Sequence, residues 1–411
     1  MTSPTSPTSP TSPTSPGAAP GRTLHTPVCI IGAGPSGLLL ARLLRLNGID
    51  SVVLEKRSRA HVEKRIRAGL LEQGTVEVLR EAGVGERLDR EALVHEGFEW
   101  RLDGAVHRMP FTELCGASVW MYGQQEVVKD LLAAHGDEPG PHFDVDDVRI
   151  ASVGADGARV VCTIDGQLTE LSCDFIAGCD GFHGVSRRAV PRTELVGHEL
   201  TYPFAWLGVL AAAPPLSPEL IYAVGDRGFA LQSMRSQTVS RLYLSVPPGE
   251  GVDDRGDEEI WRELDLRLTG GQGTLPTGPI TERVMVPLRS FVAEPFQYRS
   301  LFLVGDAAHI VPPSAAKGLN MAVADARHLA EALTGWYAHG RREALDDYSA
   351  TAVARAWQGQ QFSASMTTLM HAAPDESVFD RRLRRARFER LLSSTAEATA
   401  FAEQYTGIAR R

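Results

Sequence analysis

Val28-Cys29-Ile30-Ile31-Gly32-Ala33-Gly34-Pro35-Ser36-Gly37 is the stretch on which the fold turns. Apolar residues run unbroken up to Gly32, as in a short strand, and an apolar helical run follows from Leu38 to Leu46. Between them the glycines keep the spacing G-x-G-x-x-G. Gly32 permits a tight turn, Gly34 lets the backbone approach a pyrophosphate, and Gly37 lets the helix pack close to the strand. A second strand, Ser51-Val52-Val53-Leu54, ends at Glu55, 23 residues beyond Gly32. There a carboxylate binds both hydroxyls of an adenosine ribose. A lone glycine motif is a weak signal; strand, helix and terminal Glu55 together make a dinucleotide site a far better reading than a bare turn. No second motif of this kind is present, so a nicotinamide cosubstrate would have no Rossmann unit of its own.

The second informative stretch is Leu303-Val304-Gly305-Asp306-Ala307-Ala308-His309-Ile310-Val311-Pro312-Pro313-Ser314-Ala315-Ala316-Lys317-Gly318-Leu319-Asn320. It reads as a strand, a turn rich in Gly and Pro, and a helix opening near Gly318. An acidic residue at a strand exit accepts hydrogen bonds from sugar or ribityl hydroxyls. Free N–H groups at a helix start face an electron-rich ring. A flavin needs both.

Composition narrows the setting. The 411 residues carry 43% hydrophobic and 23% charged side chains, as an ordinary soluble protein does. A net charge of −9 argues against nucleic acid and against anionic lipid as partners. The five cysteines, Cys29, Cys115, Cys162, Cys173 and Cys179, are odd in number and show no metal-ligand spacing. No metal is therefore expected, and a reduced, cytoplasmic setting is. No run of 18 apolar residues exists, so no membrane span is expected. Five Thr-Ser-Pro triplets follow Met1; proline at every third place favours extended, solvated chain, and this tail reads as disordered and outside the catalytic unit.

Further along, Arg65 and Arg67 flank a loop suited to pyrophosphate, and a helix is expected over Glu72 to Ala82. Phe98 to Met109 alternates like a strand or hairpin. The Cys179-Asp180-Gly181 turn, with a helix start after it, is a second candidate anion site. From Glu199 to Val246 short strands are spaced by Pro and Gly turns, as in an antiparallel sheet. Alternation lets Tyr222, Ser233, Arg235, Arg241 and Tyr243 project polar groups from it. Helices are expected over 319–336, 343–360 and 375–392, and the C-terminal stretch 396–408 contains Tyr405.

These residues carry a specific likeness. The chain resembles the single-component flavin aromatic hydroxylases through Ile30 to Leu40, Arg65 to Gly69, Leu93 to Gly97, Ile176 to Gly184, Glu219 to Ala223, Gly228 to Leu231, Pro287 to Phe291 and Gly305 to Asn320. The likeness runs from about residue 26 to 408. It implies an α/β fold: a Rossmann-like FAD-binding domain with an inserted antiparallel-sheet substrate domain and a helical C-terminal region. The expected division is a tail over 1–25, FAD-binding parts over 26–198 and 291–340, the substrate sheet over 199–290, and helices over 341–411.

The resemblance also implies roles. Glu55 would bind the FAD ribose, and Arg67 with the Gly32–Gly37 turn, Gly34 and Ser36 included, would hold the pyrophosphate. Gln124 and Asp306 would serve the ribityl region, and the backbone of Leu319 and Asn320 would face the isoalloxazine. Ser233, Arg235 and Tyr243 would clamp a benzoate carboxylate. Tyr222 and the Pro313 carbonyl would meet the phenol oxygen, with Tyr405 and His95 continuing a proton chain. Arg65, His183 and Arg289 would receive NADPH or NADH, and Arg241 would influence flavin position. The activity implied is hydroxylation of 4-hydroxybenzoate to 3,4-dihydroxybenzoate with O2, through a flavin hydroperoxide, in a homodimer.

Two departures bear on this. Lys56-Arg57-Ser58-Arg59-Ala60-His61 is unlike the NADPH-specific members, so both nicotinamides stay open. Ser314-Ala315-Ala316 replaces a more usual Thr-Gly-Ala. A relative acting on another hydroxybenzoate or an aminobenzoate is the nearest alternative; a flavoprotein disulfide reductase lacks its cysteine pair here, and a non-catalytic flavin sensor would show no substrate-dependent turnover.

Overall fold

The computed structural model describes residues 21–65, 69–136 and 140–408. Arg67 and the Thr-Ser-Pro tail lie outside the described residues.

Two large sheets carry the architecture. The first is built on four parallel strands in the order Ser51–Leu54, Arg22–Ile31, Gln167–Gly178, Leu301–Leu303. Ile30 stands between Val53 and Ala177 in register. Val28, Cys29 and Ile30 have no exposed surface at all, which is why their sequence shows no alternation. The helices Pro35–Leu46 and Lys317–His339 cover one face, joining Leu38, Leu39, Ala326 and Leu329 into one core. The meander Asp146–Val153, Ala158–Ile164 extends the sheet beyond Gln167–Gly178.

The second sheet has eight strands. In order they are His309–Ile310, Ile280–Glu294, Val196–Ala211, Val239–Val246, Gly228–Ser236, Leu220–Gly225, Gly97–Leu102 and Ala105–Pro110. All pairings are antiparallel except that of Leu220–Gly225 with Gly97–Leu102. The strands between Glu199 and Val246 form as the alternation predicts, and the hairpin 97–110 joins their edge from much earlier in the chain. Period-two alternation gives this sheet two apolar faces. Ile221, Ala223, Leu242 and Leu244 pack against Ile260 and Leu264 of the helix Asp257–Thr269. On the other face Tyr222, Leu231 and Trp206 meet Phe362 of the helix Tyr348–Met370 and Tyr405 of the helix Thr395–Thr406.

The expected helix 343–360 is instead two: Glu343–Asp346, and Tyr348–Met370, which runs ten residues further because Phe362, Met366 and Met370 continue its buried side. A small third sheet joins Leu70–Glu72, Val119–Met121 and Leu93–His95. Among the described residues no helix is long and apolar enough to cross a membrane, and no group of His, Cys, Asp and Glu is arranged to hold a metal.

Candidate active site

The glycine loop sits where the first strand meets its helix. Gly32 has φ +106°, and a Cβ there would strike the Cys179 carbonyl. A Cβ on Gly37 would strike the Gly32 carbonyl, so the third glycine is demanded by helix–strand contact. Gly34 differs: nothing lies within 4 Å of where its Cβ would be. Its space opens onto the start of Pro35–Leu46, whose cap supplies no side-chain acceptor, so first-turn N–H groups are available to an anion. Glu55 is aimed from the second strand by two backbone donors, Ala33 N–H to Oε2 and Arg57 N–H to Oε1, both at 2.8 Å. A carboxylate accepts about four hydrogen bonds, so capacity remains for ribose hydroxyls.

Beneath the second stretch lies a buried network that sequence reasoning missed. Gly305, at φ +61°, donates its N–H to Asp325 Oδ2 at 3.1 Å. The same carboxylate takes His309 Nε2 at 2.7 Å and Arg355 Nη2 at 2.9 Å. Burial alone would raise the Asp325 pKa; His309 and Arg355 overcome it and hold it below the usual carboxylate value. The network fixes the 3-10 turn Gly305–Ala307 and with it half-buried Asp306. A charged residue among the apolar positions Met321, Ala322, Ala326 and Leu329 was the available signal for Asp325. Ala316, left-handed at φ +52°, starts the helix Lys317–His339 without a side-chain cap, leaving the N–H groups near Leu319 directed outward from the helix end. The Asn320 side chain is committed elsewhere, accepting from Glu72 N–H at 2.9 Å and donating to the Leu70 carbonyl at 3.1 Å. Only its backbone remains for a ring. Gln124 opens the helix Gln124–Ala133, and two residues before it Tyr122 donates its N–H to the Gly69 carbonyl at 2.7 Å. An open position at Gly34, two uncapped helix starts and a pre-aimed Glu55 fit FAD.

The sheet face toward the C-terminal helices gathers the polar residues expected there. Tyr222 lies opposite Leu231, Leu231 opposite Tyr243, and Ser233 opposite Arg241. The Tyr222 hydroxyl is 3.1 Å from the Ser314 carbonyl, to which it donates, and 2.9 Å from the Tyr405 hydroxyl. Burial pushes both phenols above their ordinary value, although the bond from Tyr405 works the other way on Tyr222. Tyr405 stacks on Phe111 with ring centres 5.0 Å apart. The carbonyl beside Tyr222 is that of Ser314; that of Pro313 accepts the Ala316 N–H at 3.0 Å and closes the 3-10 turn.

Ser233 donates to the Arg241 carbonyl at 3.4 Å. Arg235 reaches the Met234 carbonyl at 3.5 Å through Nη1, while its Nε is buried with no partner among the described residues. Burial lowers its pKa and neighbouring Tyr243 raises it. Arg241 is buried, paired with Glu282 at 3.0 Å and lying 5.4 Å from the Tyr243 ring centre. His95 is fully buried, hydrogen-bonded at neither ring nitrogen among the described residues, and held near pKa 4 by burial. The three-member chain expected from sequence is thus a bonded pair, Tyr222 and Tyr405, with a neutral imidazole not bonded to it.

On another side Arg289 lies 3.9 Å from the Phe182 ring centre, and Arg187 stacks on Phe182 and Phe291 at 4.5 and 4.6 Å. His183 is exposed beside them. The anion site expected at the Asp180-Gly181 turn does not form: Asp180 Oδ2 is filled by Ser186 N–H and Oγ–H at 2.8 and 2.9 Å, and no α-helix follows. Lys317 was also missed; its buried ammonium joins Glu72 at 2.5 Å and the carbonyls of Gln404 and Tyr405, pinning the last helix to the site.

The FAD binding domain family model matches residues 25–363. The chain is 44% identical over 391 residues to the p-hydroxybenzoate hydroxylase of Acinetobacter baylyi, covering 94% of this chain and 96% of that one. It is 26% identical to the rifampicin monooxygenase of Streptomyces venezuelae, over 79% of this chain and 67% of the relative. The p-nitrophenol 4-monooxygenase of Pseudomonas putida has the same fold, with a TM-score of 0.79 at 20% identity, covering 95% of this chain and all of that one. A cofactor cradle built from Gly32, Gly34, Gly37 and Glu55, a family match over most of the chain and a near full-length relative lead to one conclusion: the chain belongs to the FAD-dependent flavin aromatic hydroxylases.

Proposed function

We propose that this hydroxylase converts 4-hydroxybenzoate to 3,4-dihydroxybenzoate. NAD(P)H gives two electrons, one atom of O2 enters the ring, and the other leaves as water. The observation that carries the reading is Arg235: a guanidinium neighbouring Tyr243, on the sheet that carries Tyr222, whose buried Nε–H has no partner among the described residues. A buried cationic donor without an acceptor is costly, and an anionic ligand removes that cost. The name and full-length coverage of the Acinetobacter relative support an aromatic carboxylate with a para hydroxyl.

Bound FAD supplies hydride acceptance and oxygen activation. The protein's part is placement and proton handling. Arg235, Ser233 and Tyr243 hold the carboxylate, and Tyr222 meets the phenol oxygen at the other end. A phenol of pKa about 10 must be ionised to become electron-rich enough for electrophilic attack. Tyr222 accepts its proton and passes its own to Tyr405 by turning its hydroxyl away from the Ser314 carbonyl. His95 is the onward carrier toward solvent; held near pKa 4 by burial, it passes the proton on and does not store it. The surrounding Phe98, Phe111 and Phe401 rings keep water out. Arg65, His183 and Arg289 receive the nicotinamide, with Arg67 and Gln124 at the FAD phosphates and ribityl chain and Arg241 biasing the flavin position. Val378 and Phe379, 73% and 74% exposed on the helix Val378–Ser393, support a homodimer contact there, and the reduced cysteines support a cytoplasmic setting.

The test is direct. Purified protein given O2, 4-hydroxybenzoate and either NADH or NADPH is expected to oxidise the nicotinamide and release 3,4-dihydroxybenzoate. Nicotinamide oxidation without that catechol, or turnover restricted to another benzoate, ends the substrate assignment.

A further inference from the structure

We propose that His371 is a positioning residue for the aromatic-acid cavity, acting through the indole of Trp206; this rests on the reading above. Trp206 projects from Val196–Ala211 onto the face it shares with Gly208, and Gly208 lies opposite Tyr243. A Cβ on Gly208 would come 2.8 Å from Tyr243 Cε1, so the tyrosine ring rests on bare backbone there. Its tilt is limited by the Trp206 ring, whose centre is 5.3 Å away at 54°, together with the Arg241 guanidinium 5.4 Å from the ring centre. Trp206 is itself 1% exposed and stacked on Phe229 at 4.9 Å.

A planar indole among aromatic rings can slide and still keep its burial; its N–H is what fixes it. That N–H donates to His371 Nε2 at 2.7 Å. His371 Nδ1 is 2.9 Å from the Thr367 carbonyl, so the one tautomer with hydrogen on Nδ1 satisfies both partners. Phe204 stacks on the imidazole at 4.9 Å, and the residue follows directly on the helix Tyr348–Met370. The chain of contact runs from that helix end through His371 and Trp206 to Tyr243, which holds the substrate carboxylate. Losing the acceptor leaves a buried donor unpaired, and the indole must move to relieve it.

The test is a double-mutant cycle on holoenzyme. His371→Leu and Trp206→Phe are each expected to raise the KM for 4-hydroxybenzoate about tenfold with kcat within about twofold, at unchanged FAD content. The double variant is expected to be no worse than either single one. His371→Gln, whose Oε1 can accept the indole N–H, is expected to recover most of the KM. Without any substrate, the indole N–H proton resonance that vanishes in Trp206→Phe is expected to lie downfield and to move upfield in His371→Leu. A KM within twofold of wild type in His371→Leu, KM effects that multiply in the double variant, or an unmoved resonance would each overturn the proposal. If His371→Leu does not fold, the KM and resonance of His371→Gln and His371→Asn take its place. If the wild-type enzyme does not hydroxylate 4-hydroxybenzoate, the substrate reading fails by itself, and the same cycle is read on the aromatic acid it does hydroxylate.

Discussion

Arg235 brings its charge to a wall where its Nε–H meets no acceptor among the described residues, and on the proposed reading a substrate carboxylate fills that place. Arg235→Ala is expected to weaken 4-hydroxybenzoate binding by about 3–5 kcal/mol, in line with a broken buried charge pair. Substrate titration by flavin absorbance measures it, and FAD content should stay at the wild-type level. Tyr405 acts at the other end. Tyr405→Phe removes the hydroxyl 2.9 Å from Tyr222 and is expected to lower kcat at least about tenfold at neutral pH. That loss should shrink as pH rises toward the free phenol value of about 10, since the substrate then ionises without a relay. A deficit that stays flat with pH would remove Tyr405 from the proton path. At this scale the sequence was only partly informative. Alternation let Tyr222, Ser233 and Tyr243 be read as projecting from the sheet, because side-chain direction in a strand is local; it gave no sign of the register irregularity between Met234 and Ser236, where Arg235 sits. Which carbonyl meets Tyr222, Ser314 or Pro313, depends on a single turn's geometry, and no pattern of residue types encodes it.

The glycine loop separates two kinds of necessity within one element. Gly37 is required by packing and Gly34 by ligand approach, since only the latter has open space around its missing Cβ. Gly34→Ala is therefore expected to yield folded protein that retains little FAD, read as loss of yellow colour with near-normal circular dichroism. Gly37→Ala is expected to lower Tm outright, because its methyl meets the Gly32 carbonyl. This strand–loop–helix unit was legible because all its parts lie within 34 residues, from Arg22 to Glu55. The eight-stranded sheet was less so: its edge hairpin 97–110 enters from a distant part of the chain, and nothing in the local alternation says which sheet a hairpin joins. Lys317 and Asp325 were hidden for a related reason. A buried charge in a helix looks like an ordinary polar residue until its partners, Glu72 or His309 and Arg355, are known.

Across the whole molecule, two buried imidazoles make stability depend on pH. Burial lowers His95 and His371 to about pKa 4 in the folded protein, against 6.5 when exposed. Between those values the unfolded chain binds more protons, so stability falls as pH drops from 6.5 to 4, by about 3 kcal/mol for each residue at 1.36 kcal/mol per pKa unit. Below pH 4 the depressed Asp325 adds a loss of the same sign as its carboxylate protonates. Urea unfolding midpoints are expected to be level from pH 7 to 8 and to decline steadily below 6.5; replacing His95 by Leu should flatten part of that decline.

The bond between Tyr222 and Tyr405 closes a loop of 183 residues, whereas Ala33 and Glu55 are only 22 apart. Closing short loops costs less chain entropy and happens sooner, so the Gly32–Glu55 end of the cradle should assemble well before the proton path, and before the ring end, where Asn320 is tied to Glu72 across 248 residues. In refolding from urea with FAD present, the Ala33 and Arg57 amides that bond Glu55 are expected to become protected from hydrogen exchange in an early phase, with capacity to bind the aromatic acid returning only in a later one. For an interval the chain would hold the Glu55 end of its cradle ready before it can recognise what it is meant to oxidise.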